Sequence, residues 1–421
     1  MSKVSIIGAY NTQFGAFIKR DRETKEITDL KSYYDLLIEA GRGAIEDAGL
    51  EAKDIDAVYV GSCSPSMFAN QEHVAPLGVL IDPALRLKPM TRTECACASS
   101  TVALYDAAYM VEAGRAKNVL VIGVEKMNLL DTKGVTHALA CSSYYPEEGA
   151  KGMTFPGLFA ELAKEYSAYY GIDGEELRKM LASVSALCYS NGIENPLAHF
   201  GPGGLTEKLG ITTSDAILAM PDEGKGANMM IAEPLRLHDC SLVSDGAAAL
   251  VITASDNVPS DAKAVEIAGI GQSAEYLPLS KRDKKYMLEA GKDAVAKSYA
   301  EAGITSEDID FAEVHDCFTI NQLLTTEALG FAEDGKAGYD YMAGRFTKDD
   351  DKVSVNLSGG LKAKGHPVGA TGASMHALAY KQLVGEPIGA TTTKGQPEVG
   401  VTFNVGGSAV TNCVTVLKRT K

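Results

Sequence analysis

The feature that most constrains this chain is a repeat. The stretch AIEDAGLEAKDIDAVYVGSC (44–63) aligns without a gap on SYAEAGITSEDIDFAEVHDC (298–317). Ala48/Ala302, Gly49/Gly303, Asp54/Asp308, Ile55/Ile309, Asp56/Asp310, Val60/Val314 and Cys63/Cys317 are identical pairs. Each copy reads as a helix, a glycine stop, a turn capped by Asp54 or Asp308, and a short buried strand. The same unit in each half, ending at the same strand end, predicts a duplicated fold with halves at 1–255 and 256–421. A chain of 421 residues has room for two or three domains.

Short apolar runs elsewhere read as buried strands: Val4–Ile7, Ala57–Val60, Val119–Ile122, Ala247–Ile252 and Val353–Leu357. Helical patterns alternate with them at Tyr34–Ala48, Thr101–Glu112, Leu288–Ala302 and Ala373–Val384. This alternation predicts an α/β fold with largely parallel sheets. The first half is longer by about 129–238, a segment rich in turns with helical patches. It reads as an insertion over one face of the core, where substrate pockets are often shaped.

Bulk composition narrows the function. With 45% apolar and 23% charged residues the chain is of the ordinary globular kind. A net charge of −15 argues against a general nucleic-acid or anionic-membrane binder, so a phosphate-bearing ligand would need a local basic patch. Lys and Arg residues of the insertion are the candidates for it. No apolar run approaches the roughly 18 residues needed to span a bilayer. Eight scattered cysteines predict reduced thiols in a cytoplasm rather than a disulfide scaffold. No G-x-G-x-x-G follows a strand, and no Walker loop, C-x-x-C or H-E-x-x-H occurs, so neither a dinucleotide nor a zinc site is expected.

Chemistry concentrates in four short stretches. In TECACASS, Cys97 opens a helix. The unpaired N–H groups and the dipole there would depress its pKa, and its small neighbours would admit a carbonyl. Taken alone, Cys97 reads equally as buried filler or as a nucleophile, whereas Cys95, inside the presumed strand, reads as filler. In EVHDCF, strand alternation points His315 and Cys317 to the same side. In GHPVGATG, glycines surround His366 ahead of a small-residue helix, which suggests a catalytic turn. In TFNVGGSAVTN, a strand broken at Gly406-Gly407 could supply backbone N–H groups.

Together these stretches resemble the thiolase family over essentially the whole length. The resemblance is carried by CASS at Cys97, GVEKM (123–127), SDGAAA (244–249), HDCF (315–318), GHPVGATG (365–372) and NVGG (404–407). It implies a duplicated thiolase fold in α-β-α-β-α layers with an inserted loop domain, coenzyme A thioesters as substrates with no separate cofactor, and a homodimer or homotetramer. Two positions depart from the commonest pattern: His315 stands where asparagine is usual, and Asn404-Val405-Gly406 replaces the usual C-x-G. HDCF is similar to sterol-carrier-protein-type thiolases and the NVGG ending to archaeal ones, with Cys317 offering the replacement thiol.

The resemblance implies an acetyl-CoA C-acetyltransferase. Cys97 carries the acyl group and His366 activates it. Cys317 is the general acid/base, and His315 bonds the thioester oxygen. The amides of Cys97 and Gly406 form an oxyanion hole, and Ser241 and Phe318 touch the pantetheine arm. Two other readings are weighed. One is a ketosynthase-like decarboxylating enzyme using Cys97, His315 and His366. The other is a subunit that hands acetoacetyl-CoA to a 3-hydroxy-3-methylglutaryl-CoA synthase with an OB-fold protein.

Overall fold

The computed structural model describes residues 3–420 apart from 22, 25, 225, 260 and 261. Five strands of a ten-stranded sheet come from the first half of the chain: β1 (Val4–Asn11), β2 (Ala57–Gly61), β3 (Met90–Thr93), β4 (Asn118–Glu125) and β5 (Gly246–Ala254). Five come from the second: β6 (Val265–Ala274), β7 (Phe311–Val314), β8 (Ser354–Val355), β9 (Val399–Gly406) and β10 (Thr411–Arg419). Their spatial order is β8-β7-β9-β10-β6-β1-β5-β4-β2-β3. Each half therefore runs third, second, fourth, fifth, first, and the two meet where β1 and β6 pair antiparallel at Val4↔Ile267.

Strand directions repeat as well. β2 is parallel to β3 and β4, while β4–β5 and β5–β1 are antiparallel. β7 is likewise parallel to β8 and β9, while β9–β10 and β10–β6 are antiparallel. The sheets are thus less parallel than the alternation of elements suggests. A strand covered on both faces is continuously apolar whichever way its neighbour runs, so the apolar runs cannot distinguish the two cases.

The helices that matter here are α1 (Tyr33–Asp47), α2 (Ser99–Glu112), α3 (Phe155–Tyr170), α4 (Gly174–Gly192), α5 (Glu289–Ala302), α6 (Thr319–Ala328) and α7 (Thr371–Leu383). α1 starts where Ser32 and Asp35 close a capping box. In β4, Val119 and Val121 join Ala103, Leu104 and Ala107 of α2 in one core, while Leu120, Ile122 and Val124 join Leu36, Leu37 and Ala40 of α1 in another. Val401, Phe403 and Val405 of β9 face a third core with Ala294 and Val295 of α5 and Leu323 of α6. The helix α7 is buried along its length and touches α2 and strands of both half-sheets. The layers are α1, sheet, α2 with α7, sheet, α5 with α6.

The repeat reaches the ladder details. β1 and β6 each carry a bulge, after Ile6 and after Ile267. A Cβ at Gly8 would lie 2.5 Å from Ala48 N, and one at Gly269 would lie 2.1 Å from Ser298 O. Both glycines let a repeated helix, α1 or α5, lie directly on its strand.

Helices α3 and α4 pack on the second half. Leu158, Phe159 and Leu181 share a core with Phe318 and Leu323. Asn191 at the end of α4 donates to Asn356 O at 3.0 Å.

Candidate active site

Cys97 sits at the apex of a tight turn between β3 and α2. The Ala98 and Ser99 amides donate to Cys95 O and Ala96 O, and Ser99 Oγ closes the turn by accepting from Cys95 N–H at 3.0 Å. Ala96 takes a left-handed φ of 50°. β3 ends at Thr93, so Cys95 lies in this turn rather than in the strand, packed against Ala98, Tyr105 and Cys413. Cys97 is 8% exposed. Its pKa is not depressed as its place near a helix start suggests: burial pushes it up to about 12, against the opposing N–H of Gly407. The resting group is a thiol and needs a base.

A cavity of about 530 Å³ opens on this sulfur. Cys97, Cys317, His366, Ser241 and Phe318 all line it, with two further thiols, Cys63 and Cys240. Gly407 lines it too and its amide is the one beside the Cys97 sulfur, while Gly406 sits one residue back in β9 against Cys95 O. The apolar wall is made by Met127, Leu130, Val135, Leu139, Phe155 and Val368. The basic residue on the lining is Arg20, on the hairpin strand Ile18–Arg20 outside the insertion.

His315 lies behind the lining, fully buried. Its ring meets that of His366 edge-on, centroids 5.1 Å apart at 83°. Cys97 Sγ and one ring nitrogen of each histidine lie within 4.8 Å of one another. Burial holds both imidazoles neutral: with the Lys364 ammonium as the second cause His366 is pushed down to about 3, and with the neighbouring His366 and then Lys364 as further causes His315 lies well below its ordinary value. His366 Nδ1 faces Thr371 Oγ1 at 2.7 Å, and His315 Nδ1 faces Asn404 Nδ2 at 2.9 Å. Burial, the neighbouring Cys97 and Asp316 push the Cys317 thiol well above its ordinary value.

Buried carboxylates hold these loops together. Asp316 accepts the N–H groups of Leu361 (2.7 Å) and Lys362 (3.0 Å), which begin the short helix Gly360–Lys364 leading to His366. Glu125 accepts from Cys63 N at 2.6 Å and from Gly369 N at 3.1 Å, tying the end of β2 to the segment after His366. Asp245 receives Lys126 Nζ (2.9 Å), Met127 N (2.7 Å) and Asn128 N (2.9 Å). GVEKM and SDGAAA are thus two sides of one buried joint. Two lysines precede the turn that bears His366: Lys362 Nζ donates to Tyr189 OH and Cys240 O, both at 2.8 Å, and Lys364 Nζ to Ser374 Oγ at 2.9 Å.

A family model described as "Thiolase, N-terminal domain" matches residues 4–256, and one described as "Thiolase C-terminal domain-like" matches residues 271–419. The chain belongs to the thiolase family. It is 37% identical over 420 residues to an acetyl-CoA acetyltransferase of Methanothermobacter thermautotrophicus, with 100% of each chain covered. It is 28% identical to human sterol carrier protein 2 over 92% of this chain and 67% of that one. A solved chain titled "Ltp2-ChsH2(DUF35) aldolase" has the same fold, with a TM-score of 0.78 at 20% identity over 99% of this chain and 98% of that one. In this thiolase, residues from four loops and both halves converge on one cavity. The sequence patterns assign no role to Asp316, Glu125 or Asn404, although all three stand inside the family stretches quoted above. Among the described residues no helix is long and apolar enough to cross a membrane.

Proposed function

We propose that the protein is an acetyl-CoA C-acetyltransferase, interconverting two acetyl-CoA with acetoacetyl-CoA and CoA through an acyl-cysteine. The observation that carries this reading is one buried cavity holding two thiols, Cys97 and Cys317, beside an imidazole, His366. The full-length likeness to an archaeal acetyl-CoA acetyltransferase supports the choice of acyl group.

The chemistry follows from protonation states. Cys97 rests as a thiol, so His366 takes its proton as the sulfur adds to the thioester carbonyl. The amide of Cys97, with those at Gly406-Gly407, receives the oxyanion. Cys317 gives its proton to the departing CoA sulfur and is left as thiolate. That thiolate takes a proton from the methyl group of a second acetyl-CoA, and a thiol of raised pKa makes a correspondingly stronger base. His315 and the protonated His366 bond the enolate oxygen while its carbon attacks acetyl-Cys97. The Cys97 sulfur then leaves and recovers its proton from His366. Ser241 and Phe318 contact the pantetheine arm.

Incubation with acetyl-CoA followed by peptide mass spectrometry is expected to place an acetyl group on Cys97. Label on Cys95 instead would sink the assignment. Turnover of malonyl thioester without acetyl-CoA exchange would favour the ketosynthase-like use of Cys97, His315 and His366.

In the same reading the functional units are 1–255, with the insertion at about 129–238, and 256–421, supported by the repeated strand order. The working form is a homodimer or homotetramer in the cytoplasm. A complex with a 3-hydroxy-3-methylglutaryl-CoA synthase and an OB-fold protein is tested by co-purification.

A further inference from the structure

We infer that Asn404 decides which nitrogen of His315 carries its proton, through a hydrogen-bond chain Thr101–Asn404–His315 that crosses from one half of the molecule to the other. The inference rests on the reading of His315 as donor to the thioester oxygen.

Thr101, in the first turns of α2, donates its hydroxyl to Asn404 Oδ1 at 2.7 Å. That bond orients the amide, so its NH₂ faces His315 Nδ1 at 2.9 Å. An amide NH₂ can only donate, and a ring nitrogen that accepts carries no proton. The His315 proton therefore sits on Nε2. That atom is buried and has no hydrogen-bond partner among the described residues. It is left as a free donor in the group formed with Cys97 and His366.

His366 is set the other way. Thr371 Oγ1 donates to Pro367 O at 3.0 Å and so offers its lone pair to His366 Nδ1 at 2.7 Å. The His366 proton sits on Nδ1 and its Nε2 is bare. The two imidazoles stand in opposite tautomers. One takes the proton of Cys97, and the other donates to a developing oxyanion.

Space for the chain is built in. A Cβ at Gly372 would lie 2.2 Å from Thr101 Oγ1 and 2.7 Å from Asn404 Oδ1. The two departures from the commonest family pattern, His315 and Asn404, are also partners in one hydrogen bond. They form one device: the histidine supplies the donor, and the asparagine fixes its tautomer.

The test uses the whole protein labelled with ¹⁵N-histidine, with two-bond ¹H–¹⁵N spectra at neutral pH and the His315 signal identified by its loss in His315→Gln. The expected spectrum shows His315 protonated on Nε2 and His366 on Nδ1. Asn404→Asp keeps the shape but offers an acceptor to Nδ1. Its condensation rate is expected to fall about 10²-fold as rising pH removes the Nε2 proton, while acetylation of Cys97 changes less than about threefold. A wild-type His315 protonated on Nδ1 overturns the inference, as does an Asn404→Asp enzyme with wild-type rate and an unchanged pH profile. Failure of wild-type Cys97 to acetylate would instead overturn the functional reading, and the spectrum would still decide the tautomers.

Discussion

Strand β2 runs into Ser62-Cys63 and strand β7 into Asp316-Cys317, at identical places in the duplicated unit. Both cysteines line the same cavity. What differs is which group supplies the anchoring carboxylate. After β7 it is the repeat's own Asp316, which accepts the amides of Leu361 and Lys362. After β2 it is Glu125 from the neighbouring strand β4, which accepts the Ser62 hydroxyl, the Cys63 amide and the Gly369 amide. The segment bearing His366 is thereby pinned before the histidine by one half and after it by the other. A symmetric scaffold holds an asymmetric site, and only one of its two matching cysteines has a histidine two residues upstream.

The comparison can be broken first at the thiols. Cys97→Ser leaves the turn intact but removes the soft nucleophile, and acetoacetyl-CoA formation is expected to fall by about 10⁴-fold or more. Cys317→Ala is expected to lower condensation about 10²–10⁴-fold while acetyl-CoA still labels Cys97. Cys63→Ala, the matching change in the other copy, is expected to stay within about threefold, since proton transfer is not assigned to it. Steady-state condensation assays with intact-mass detection of the acyl-enzyme read all three. Equal losses in Cys63→Ala and Cys317→Ala would erase the functional asymmetry.

How much of this was legible in the sequence follows from the same comparison. Helices of the repeated unit were expected at Tyr34–Ala48 and Leu288–Ala302 and occur at Tyr33–Asp47 and Glu289–Ala302, because capping and glycine stops are local signals. β6 is not among the expected strands: glycines interrupt the apolar run of its VEIAGIGQSA, and Gly269 and Gly271 are where α5 lies directly on the strand. The run Val353–Leu357 shortens to Ser354–Val355, because Asn356 turns to a φ of 52° and its Oδ1 accepts Val314 N–H. The site stretches were visible as residue types. The raised pKa of Cys97 was not, since a helix start is written locally whereas burial depends on the fold around it. The roles of Asn404, Asp316 and Glu125 were equally hidden, because each acts on a partner tens to hundreds of residues away.

A smaller effect is expected from loosening one pin. Asp316→Asn can accept one of the two amides but sets an NH₂ against the other. The expected cost is about 1–3 kcal/mol of stability, read by denaturant unfolding. If the helix Gly360–Lys364 shifts, His366 moves with it, and kcat falls about 10–10²-fold with little change in KM. Asp316→Glu, which keeps the charge, is expected to recover part of kcat. A kcat unchanged in Asp316→Asn would show that Glu125 alone suffices to hold the histidine.

The smallest effect concerns the opposite pin and is a slope. Burial raises the Glu125 carboxyl from its ordinary value to about 7, although the amide of Cys63 and the hydroxyl of Ser62 favour its charged form. Between about pH 4.5 and pH 7 the folded protein then holds a proton that the unfolded chain has released. Stability contributed by that proton is present below the unfolded value and is lost as pH rises through the folded one, by on the order of 3 kcal/mol in all. Glu125→Gln can set its Oε1 where one carboxylate oxygen accepts both the Cys63 and Gly369 amides and turn its NH₂ toward the Ser62 hydroxyl, so it keeps the pin without the titrating proton. It is expected to lack this decline, so the stability of the wild type falls relative to that of Glu125→Gln as pH rises from 5 to 8. Parallel curves in denaturant melts across that range would mean that Glu125 stays charged throughout and that the two pins, despite their different origins, are electrostatically alike.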